Sequence, residues 1–301
     1  MKLKSFQYLA PIAPFSYLAA TSVNELLESL DQYGSNAKLI AGGTDLSIAL
    51  KQRAISPEVV IDLSPIRKEL SGVTIGKDNL TIGAMTTYTE LEQDPNVIRY
   101  ARALSEAASQ VGTFQIRNLG TIGANLANGS PAADSAPPLI VLSATVNLRT
   151  KYEERKMPVE EFFTGVKRTA IRPSEIITSV EIPLNQRISS YWMRSANRNE
   201  NVISVVSVAV ASEINGNKFG ESRIALGAVA PTPILAKKSS TKLSGSNIDS
   251  ETIEAISKLA RNECKPISDV RASAEYRRHL VYVLTKRTIN KVVELGGRLG
   301  E

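Results

Sequence analysis

The clearest pattern of hydrophobic and polar positions lies near the start of the chain. Between residues 21 and 34, leucines recur three and four residues apart, which places them on one face of a helix. Ser22 and Glu25 have the spacing of a capping box, and Gly34 is a typical C-terminal stop. The pattern predicts a short helix between these signals.

Apolar runs and alternating segments predict strands along much of the remaining chain. Several of these segments are bounded by glycine, proline or asparagine, which commonly interrupt strands. The predicted strands lie at residues 37–41, 59–61, 79–85, 139–150, 175–183, 201–214 and 222–234. The last two flank the turn at residues 215–217 and predict an antiparallel hairpin.

Helical spacing returns at residues 96–112, where Gly112 ends the pattern, and again from Ser250 onwards. The C-terminal helices are expected to pack on the sheet that contains the hairpin. The order of elements predicts an α+β fold. Its expected parts are an N-terminal extension (1–14), two small α/β units divided near Pro57 (15–57 and 58–187) and a C-terminal domain of sheet plus helices (188–301).

The composition is that of a globular protein. The chain has 301 residues, of which 43% are hydrophobic and 22% charged, so it is long enough for two or three compact modules. It has no apolar run of the length that spans a membrane, and its first residues lack the apolar core of a secretion signal. We therefore expect a cytoplasmic protein.

Cysteine and histidine counts limit the metal chemistry. Cys264 and His279 are the only residues of their kinds, which is too few for a disulfide, a zinc site or an iron–sulfur cluster. Redox metals, if they take part, are expected on another polypeptide. The net charge of +6 is spread along a chain with 5% aromatic residues and no nucleic-acid-binding motif, so we expect no nucleic acid partner.

Two glycine turns have the composition of an anion-binding site. Gly42 and Gly43 follow a predicted strand, and glycines that adopt positive φ can aim their amides at one point. The second turn, "GTIGAN" at residues 120–125, offers further glycines, a threonine hydroxyl and an asparagine amide. One such turn is often purely conformational. Two of them predict a diphosphate held from both sides.

The common nucleotide-binding motifs are absent. The second turn lacks the spacing of a dinucleotide-binding fingerprint, no Walker A sequence exists, and the stretch from Gly129 to Pro138 is not expected to open a helix. Asp134 is the only acid between Glu106 and Glu153. Its carboxylate could accept hydrogen bonds from a ribose or an adenine, or it could cap the local turn, and the residues alone leave both interpretations open.

Four segments together resemble one family: "AGGTDL" at 41–46, "TIGAMTTYTEL" at 81–91, "QIRNLGTIGANLANGSPAAD" at 115–134 and "SVEIP" at 179–183. They are similar to the FAD-binding medium subunit of the molybdenum hydroxylases, which include relatives of carbon monoxide dehydrogenase, xanthine dehydrogenase and aldehyde oxidoreductase. The resemblance implies a two-part FAD-binding module of the vanillyl-alcohol-oxidase (PCMH) type. A C-terminal domain of antiparallel sheet and helices would follow it.

The resemblance also implies site residues. It matches both glycine turns to the FAD diphosphate, Asp134 to the adenosine part, two apolar residues to the flavin pocket, and an arginine near the flavin, for which Arg194 is favoured over Arg198. The implied cofactor-binding residues are Leu39, Ile40, Ala41, Gly42, Gly43, Thr44, Asp45, Leu46, Val111, Thr121, Ile122, Gly123, Ala124, Asn125, Asp134, Ile177 and Arg194. Ala124 departs from the Gly-Gly common in the family, so it must take an ordinary backbone angle or accept strain.

The implied function is electron transfer. FAD is expected to bind noncovalently, because the loops contain no spare histidine or cysteine. The resemblance puts the molybdenum cofactor on a large subunit and 2Fe–2S clusters on a small subunit, in a dimer of heterotrimers, with no catalytic residue on this chain. Two alternatives are a scaffold subunit without a redox role and a stand-alone flavoenzyme acting on a nucleotide-sugar. Valine at Gly42 or Gly123 is expected to abolish FAD binding.

Overall fold

The computed structural model describes residues 12–297. The first subdomain contains β1 (Ser16–Ala19), α1 (Val23–Tyr33), β2 (Ala37–Ile40), α2 (Leu46–Lys51) and β3 (Val59–Asp62), with 3₁₀ turns at Gly34–Asn36 and Ser64–Ile66. The three strands form a parallel sheet in the order β1-β3-β2. Helix α1 packs on this sheet through a core of leucine, valine and isoleucine side chains.

The predicted ends of α1 are confirmed. The Ser22 hydroxyl accepts the N–H of Glu25, and Gly34 follows the last turn with a φ of 50°. The Glu25 carboxylate accepts from the N–H and hydroxyl of Thr21 at 2.8 and 2.6 Å, one residue before the cap. The helix therefore has the predicted start, with the return bond made to Thr21.

The first sheet includes residues on both sides of the boundary predicted near Pro57. Strand β3 begins at Val59 and lies between β1 and β2, pairing with both. A division near residue 57 would remove the central strand, so we propose that the first subdomain ends after β3.

The second subdomain is built on a five-stranded antiparallel sheet in the order β4-β5-β10-β6-β7, with a small β8-β9 hairpin beside it. Its elements are α3 (Arg67–Leu70), β4 (Val73–Ile75), β5 (Asn79–Gly83), α4 (Tyr88–Gln93), α5 (Pro95–Tyr100), α6 (Arg102–Ala108), α7 (Phe114–Leu119), α8 (Ile122–Ala127), α9 (Ala136–Val141), β6 (Thr145–Arg149), β7 (Glu154–Pro158), α10 (Val159–Phe162), β8 (Phe163–Gly165), β9 (Arg168–Thr169) and β10 (Ile176–Pro183).

The helix predicted at residues 96–112 is broken in two. Helix α5 ends at Tyr100, and Ala101 leaves the helical region with φ −138° and ψ 46°. Helix α6 then restarts, and the N–H of Ala103 in its first turn donates to the Ser190 hydroxyl, which lies far along the chain. A tertiary contact thus caps a helix start that the apolar periodicity does not reveal.

The glycine- and proline-rich stretch at residues 115–138 is largely helical. It contains most of α7, all of α8 and the start of α9, so the expectation that Gly129 to Pro138 could not open a helix is wrong. Two prolines lie in the first turn of α9, where a missing N–H costs no helical hydrogen bond. The strand predicted from residue 139 begins only at Thr145, after Ser143 turns the chain with a φ of 53°.

The C-terminal domain contains β11 (Ile188–Ser195), β12 (Val206–Asn215), β13 (Lys218–Gly227), β14 (Ile234–Leu235), α11 (Lys237–Leu243), α12 (Ser250–Glu263) and α13 (Ala274–Gly297). Its strands form one antiparallel sheet in chain order, and the predicted β12-β13 hairpin is confirmed. The boundary predicted near residue 187 falls between β10 and β11. No helix within residues 12–297 combines the length and apolarity needed to cross a membrane.

The C-terminal sheet is covered on both faces. Helices α12 and α13 share a core with one face of the sheet, as predicted from their apolar spacing. The other face presents Trp192, Ala209 and Ala225 to the core of the second subdomain, where α6 and α9 pack against it. The domain is therefore joined to the rest of the chain through buried apolar contacts.

Candidate functional site

A cleft with a volume of about 740 Å³ separates the first and second subdomains. Its walls are the loop after β2, the exposed side of α8, the start of β10 and the segment that follows β8. Many of the predicted cofactor-binding residues line it. They are Leu39, Ala41, Gly42, Gly43, Thr44, Asp45, Leu46, Thr121, Gly123, Ala124 and Ile177.

The loop after β2 uses its two glycines for different reasons. Gly43 has a φ of 69°, as the nest hypothesis requires. Gly42 is absent from the positive-φ residues among 12–297, and a Cβ atom there would overlap the backbone carbonyl of Leu119 in the second subdomain. The prediction of positive φ is therefore wrong for Gly42, where glycine permits two backbones to meet.

The same loop, which lines the cleft, contains backbone N–H groups that could serve as donors. The carbonyl of Gly43 accepts from the N–H of Ser47 in the first turn of α2. Within residues 12–297, the hydrogen bonds do not engage the N–H groups of Gly42, Gly43 or Thr44. Asp45 precedes α2 without capping it through its side chain. Three residues of the cleft wall thus have backbone N–H groups that are unused within the described residues, which is what a backbone anion site requires.

The second turn has a different construction from the predicted nest. Thr121 caps α8 by accepting the N–H of Ala124, while the N–H groups of Ile122 and Gly123 donate to the carbonyls of Thr86 and Ala84 at 3.1 and 2.9 Å. These amides are therefore already used within the protein. The Thr121 hydroxyl remains able to donate a hydrogen bond while it accepts one.

The glycines of the second turn also serve close packing. Gly120 has a φ of −67°, in the range of ordinary residues, and Gly123 lies in α8. A Cβ atom at position 123 would lie 2.7 Å from the Cβ of Ala84, at the end of β5. The positive φ predicted for both is wrong. The contact of α8 with this strand end explains why Gly123 has no side chain.

Ala124 occupies a position that an alanine fits without strain. It lies within α8, outside the positive-φ residues, and its side chain is exposed on the cleft wall. Ala124 therefore has an ordinary helical backbone angle and does not have the strained one that was the alternative.

Six of the predicted residues are not on the cleft wall: Ile40, Val111, Ile122, Asn125, Asp134 and Arg194. Ile40 packs beside Gly43, and Ile122 and Val111 belong to the core of the second subdomain. The Asn125 side-chain oxygen accepts from the Ser135 hydroxyl at 2.7 Å. Asn125 thus supports the loop that carries Asp134.

Asp134 and Arg194 pair with each other across the junction with the C-terminal domain. Arg194 Nη1 lies 3.1 Å from one carboxylate oxygen of Asp134, and the Ser204 hydroxyl donates to the other at 2.7 Å. Both side chains are at least nine-tenths buried. Burial raises the pKa of Asp134 to about 6, although Ser204 and Arg194 favour its charged form. Arg198, by contrast, is exposed.

Arg194 also lines a separate cavity of about 530 Å³ between the two domains, close to Gly112 and Arg117. Its guanidinium lies within 3.5 Å of the carbonyl oxygens of Asn199 and Val202. The structure therefore brings Arg194 to the domain junction, beside the turn that follows Val111.

The wall formed by residues 167–176 was not predicted. It brings Lys167, Thr169, Arg172 and Glu175 to the cleft. Glu175 is buried, and its carboxylate accepts hydrogen bonds from Nε and Nη2 of Arg155 at 2.6 and 2.8 Å. Burial opposes its ionisation, but the hydrogen bonds from Arg155 and from the Arg172 N–H outweigh this and lower the pKa of Glu175. Residues 167–174 have no periodic pattern or motif, so sequence reasoning had no signal for them, whereas Glu175 and Ile176 belong to the strand predicted at residues 175–183.

Two family models match the chain. The FAD binding domain in molybdopterin dehydrogenase matches residues 13–185, and the CO dehydrogenase flavoprotein C-terminal domain matches residues 191–292. A putative xanthine dehydrogenase FAD-binding subunit of Escherichia coli (strain K12) is 32% identical over 285 residues, covering 94% of this chain and 97% of that protein. The carbon monoxide dehydrogenase medium chain of Hydrogenophaga pseudoflava is 32% identical, with coverage of 92% and 96%.

Solved structures agree with the sequence relatives. A carbon monoxide dehydrogenase structure from Hydrogenophaga pseudoflava matches with a TM-score of 0.89 and 31% identity, covering 93% of this chain and 97% of that chain. Quinoline 2-oxidoreductase from Pseudomonas putida 86 matches with a TM-score of 0.89 and 28% identity, with coverage of 95% and 99%. The likeness therefore extends over both domains.

Proposed function

The chain belongs to the family of FAD-binding subunits of the molybdopterin dehydrogenases, and on this premise we propose that it transfers electrons within a heteromeric oxidoreductase. Electrons would reach FAD from iron–sulfur clusters of a small partner subunit and leave to an external acceptor. A large subunit would carry the molybdenum cofactor and perform the substrate chemistry. The "medium chain" names of several relatives support such an assembly, for which we propose a cytoplasmic dimer of heterotrimers.

The cleft fits a dinucleotide such as FAD. Its volume lies within the range of about 300–1,000 Å³ typical of cofactor sites, and apolar side chains predominate on its walls. The loop at Gly42 to Thr44 offers backbone donors without protein acceptors among the described residues. These amides, set in a cleft between two subdomains, are the observation that carries the proposal.

The residues of the cleft suggest separate tasks. The amides of Gly42, Gly43 and Thr44 and the hydroxyl of Thr121 would hold the diphosphate, while Ile177 and Leu39 would exclude water from the rings. Bound FAD would supply one- and two-electron redox chemistry. The chain itself contributes binding and orientation, and we expect the cofactor to be held noncovalently.

Asp134 and Arg194 already bind each other. A direct contact of either side chain with FAD would have to form beside this ion pair or break it. We propose that Arg194 approaches the cofactor from the domain junction and that Asp134 orients its guanidinium. The contact of Asp134 with the adenosine part stays a prediction.

Purification of the native complex would test the function. We expect a yellow complex that releases FAD when it is denatured by heat, and reduction of that FAD when the substrate of the large subunit is added. A complex that retains its subunits but contains no flavin would favour the scaffold alternative. Turnover of a nucleotide-sugar by the isolated chain would favour the stand-alone flavoenzyme. Assays with NAD, oxygen and quinones would identify the acceptor.

A further inference from the structure

Lys167 reaches the cleft wall from a strained turn. It lies between β8 and β9, and its φ of 56° falls in the left-handed region that a lysine rarely adopts. A backbone of this kind persists only where its surroundings hold it, and such residues often occur at functional sites. The contacts that hold Lys167 in this conformation therefore show where the turn places its side chain.

The turn is fixed against the C-terminal end of α8. The N–H of Lys167 donates to the carbonyl of Gly129 at 3.0 Å, and its Nζ donates to the side-chain oxygen of Asn128 at 2.8 Å. Gly129 has a φ of 62°, and a Cβ atom there would lie 3.1 Å from the backbone of Lys167 and Arg168. Both backbone and side chain of Lys167 are thus held beside the helix that borders the cleft.

The ammonium of Lys167 has a neutral partner. Nearby, Arg172 pairs with Glu153, and Arg155 neutralises Glu175. The ion pairs observed between residues 12 and 297 do not include Lys167, because Asn128 offers an uncharged amide oxygen. A cation held in this way leaves a positive potential at the cleft, which favours an anionic ligand.

We propose that Lys167 is a further cofactor-binding residue, which attracts and retains the diphosphate-bearing part of FAD electrostatically. This inference rests on the proposed function, since it assumes that FAD occupies the cleft. Helix α8 has six residues and is about 9 Å long, so Lys167 and Thr121 act from opposite ends of it. An ionic attraction extends over such a distance at low salt, where the screening length is about 10 Å or more.

Titration of the full-length chain with FAD, followed by flavin fluorescence, would test the proposal. We expect Lys167→Met to weaken FAD binding about three- to fivefold at low ionic strength and less at high ionic strength, the size of an exposed ionic interaction. Lys167→Arg should bind as the wild type does. ADP, which keeps both phosphates without the flavin, should lose affinity for Lys167→Met by a similar factor. Lys77→Met is the matched control, because Lys77 is an exposed lysine in another hairpin turn.

Lys167→Gly separates charge from backbone shape. Glycine adopts positive φ freely, so this variant should have a higher thermal midpoint than Lys167→Met while binding FAD equally weakly. Wild-type affinity in Lys167→Met, or its recovery in Lys167→Gly, would overturn the proposal and leave the FAD function intact. A wild-type chain that binds no FAD would contradict the proposed function, and this inference with it.

Discussion

Gly42 illustrates how a single residue can matter for packing between subdomains. The loop after β2 approaches the end of α7 so closely that a methyl group at position 42 would overlap the carbonyl of Leu119. Valine at position 42 is therefore still expected to abolish FAD binding, but because of this overlap and not because the position needs a positive φ. The side chain would displace the second subdomain before it met a diphosphate.

We predict that Gly42→Ala already impairs the protein. The added methyl group should cost about 1–3 kcal/mol of unfolding free energy, as overpacking commonly does, and should weaken FAD binding because the cleft is distorted. Denaturant unfolding and FAD titration would measure both effects. Gly165→Ala is the control, since its Cβ would meet Arg168 only at ordinary contact distances of 3.8 Å. Equal behaviour of the two variants would contradict the packing argument.

Asp134 shows that an ion pair does not ensure a low pKa. Its two carboxylate oxygens accept hydrogen bonds from Arg194 and Ser204, yet burial raises the pKa of Asp134 from an ordinary value near 3.8 to about 6. The free-energy cost of removing the carboxylate from water exceeds the stabilisation of its charged form by Arg194 and Ser204. The folded state therefore holds the proton of Asp134 more tightly than the unfolded state does.

This predicts the direction of a pH effect. Between pH values of about 4 and 6 the folded chain binds more protons at Asp134 than the unfolded chain, so the contribution of Asp134 to stability falls as the pH rises through this window. The difference in unfolding free energy between wild type and Asp134→Asn should therefore shift against the wild type from pH 4 to 6 and then level off. A shift in the opposite direction would mean that the folded pKa lies below 3.8.

At the scale of elements, the cleft depends on two short pieces that pack on each other. Helix α8 forms one wall, and the segment from Lys167 to Ile177 continues that wall towards β10. Glu175 fixes this segment, because it binds Arg155 of β7 through two hydrogen bonds and accepts the N–H of Arg172. The wall is therefore held by polar contacts as well as by the core.

We expect Glu175→Gln to destabilise this wall. Removal of the charge leaves Arg155 without its anionic partner and should cost about 1–3 kcal/mol, less than for a fully buried pair because Arg155 is partly exposed. The lowered pKa of Glu175 means that its stabilisation is present near neutral pH and is lost as the pH falls through its folded pKa. Hydrogen exchange at residues 163–177 should increase.

Glu153→Gln provides the comparison for this prediction. Glu153 pairs with Arg172, and both side chains are more than half exposed, so its loss should change stability by less than about 1 kcal/mol. Similar losses in the two variants would show that the buried pair has no special role.

At the scale of the whole molecule, the C-terminal sheet is part of the core of the FAD-binding module. Trp192, the only tryptophan of the chain, is buried on β11 in the cluster that contains α6 and α9. The Asp134–Arg194 pair crosses the same junction. Shared burial of this kind couples the unfolding of two domains.

We predict a single cooperative unfolding transition for these two parts. Tryptophan fluorescence reports the junction, and far-UV circular dichroism reports all helices and strands, so their denaturant midpoints should coincide. Trp192→Phe supplies the fluorescence background of the tyrosines. A tryptophan emission change at clearly lower denaturant than the loss of dichroism would indicate that the C-terminal domain separates first.

The two glycine turns show how far local reasoning extends. Their residues were predicted to share one site, and both turns do line one cleft. Their geometry was predicted incorrectly at three positions, because only Gly43 has positive φ among Gly42, Gly43, Gly120 and Gly123. A glycine in a sequence signals either backbone freedom or close approach, and only the neighbouring chain distinguishes the two.

The sequence by itself determined the family, the order of most elements and the two turns at the site, because periodicity, capping residues and motifs are local or linear signals. The tertiary structure decided the place of β3 in the first sheet, the break at Ala101, the pairing of Asp134 with Arg194 and the arrival of Lys167 at the cleft. Each of these depends on contacts between residues far apart in the chain, and their energies arise only once the subdomains have packed together.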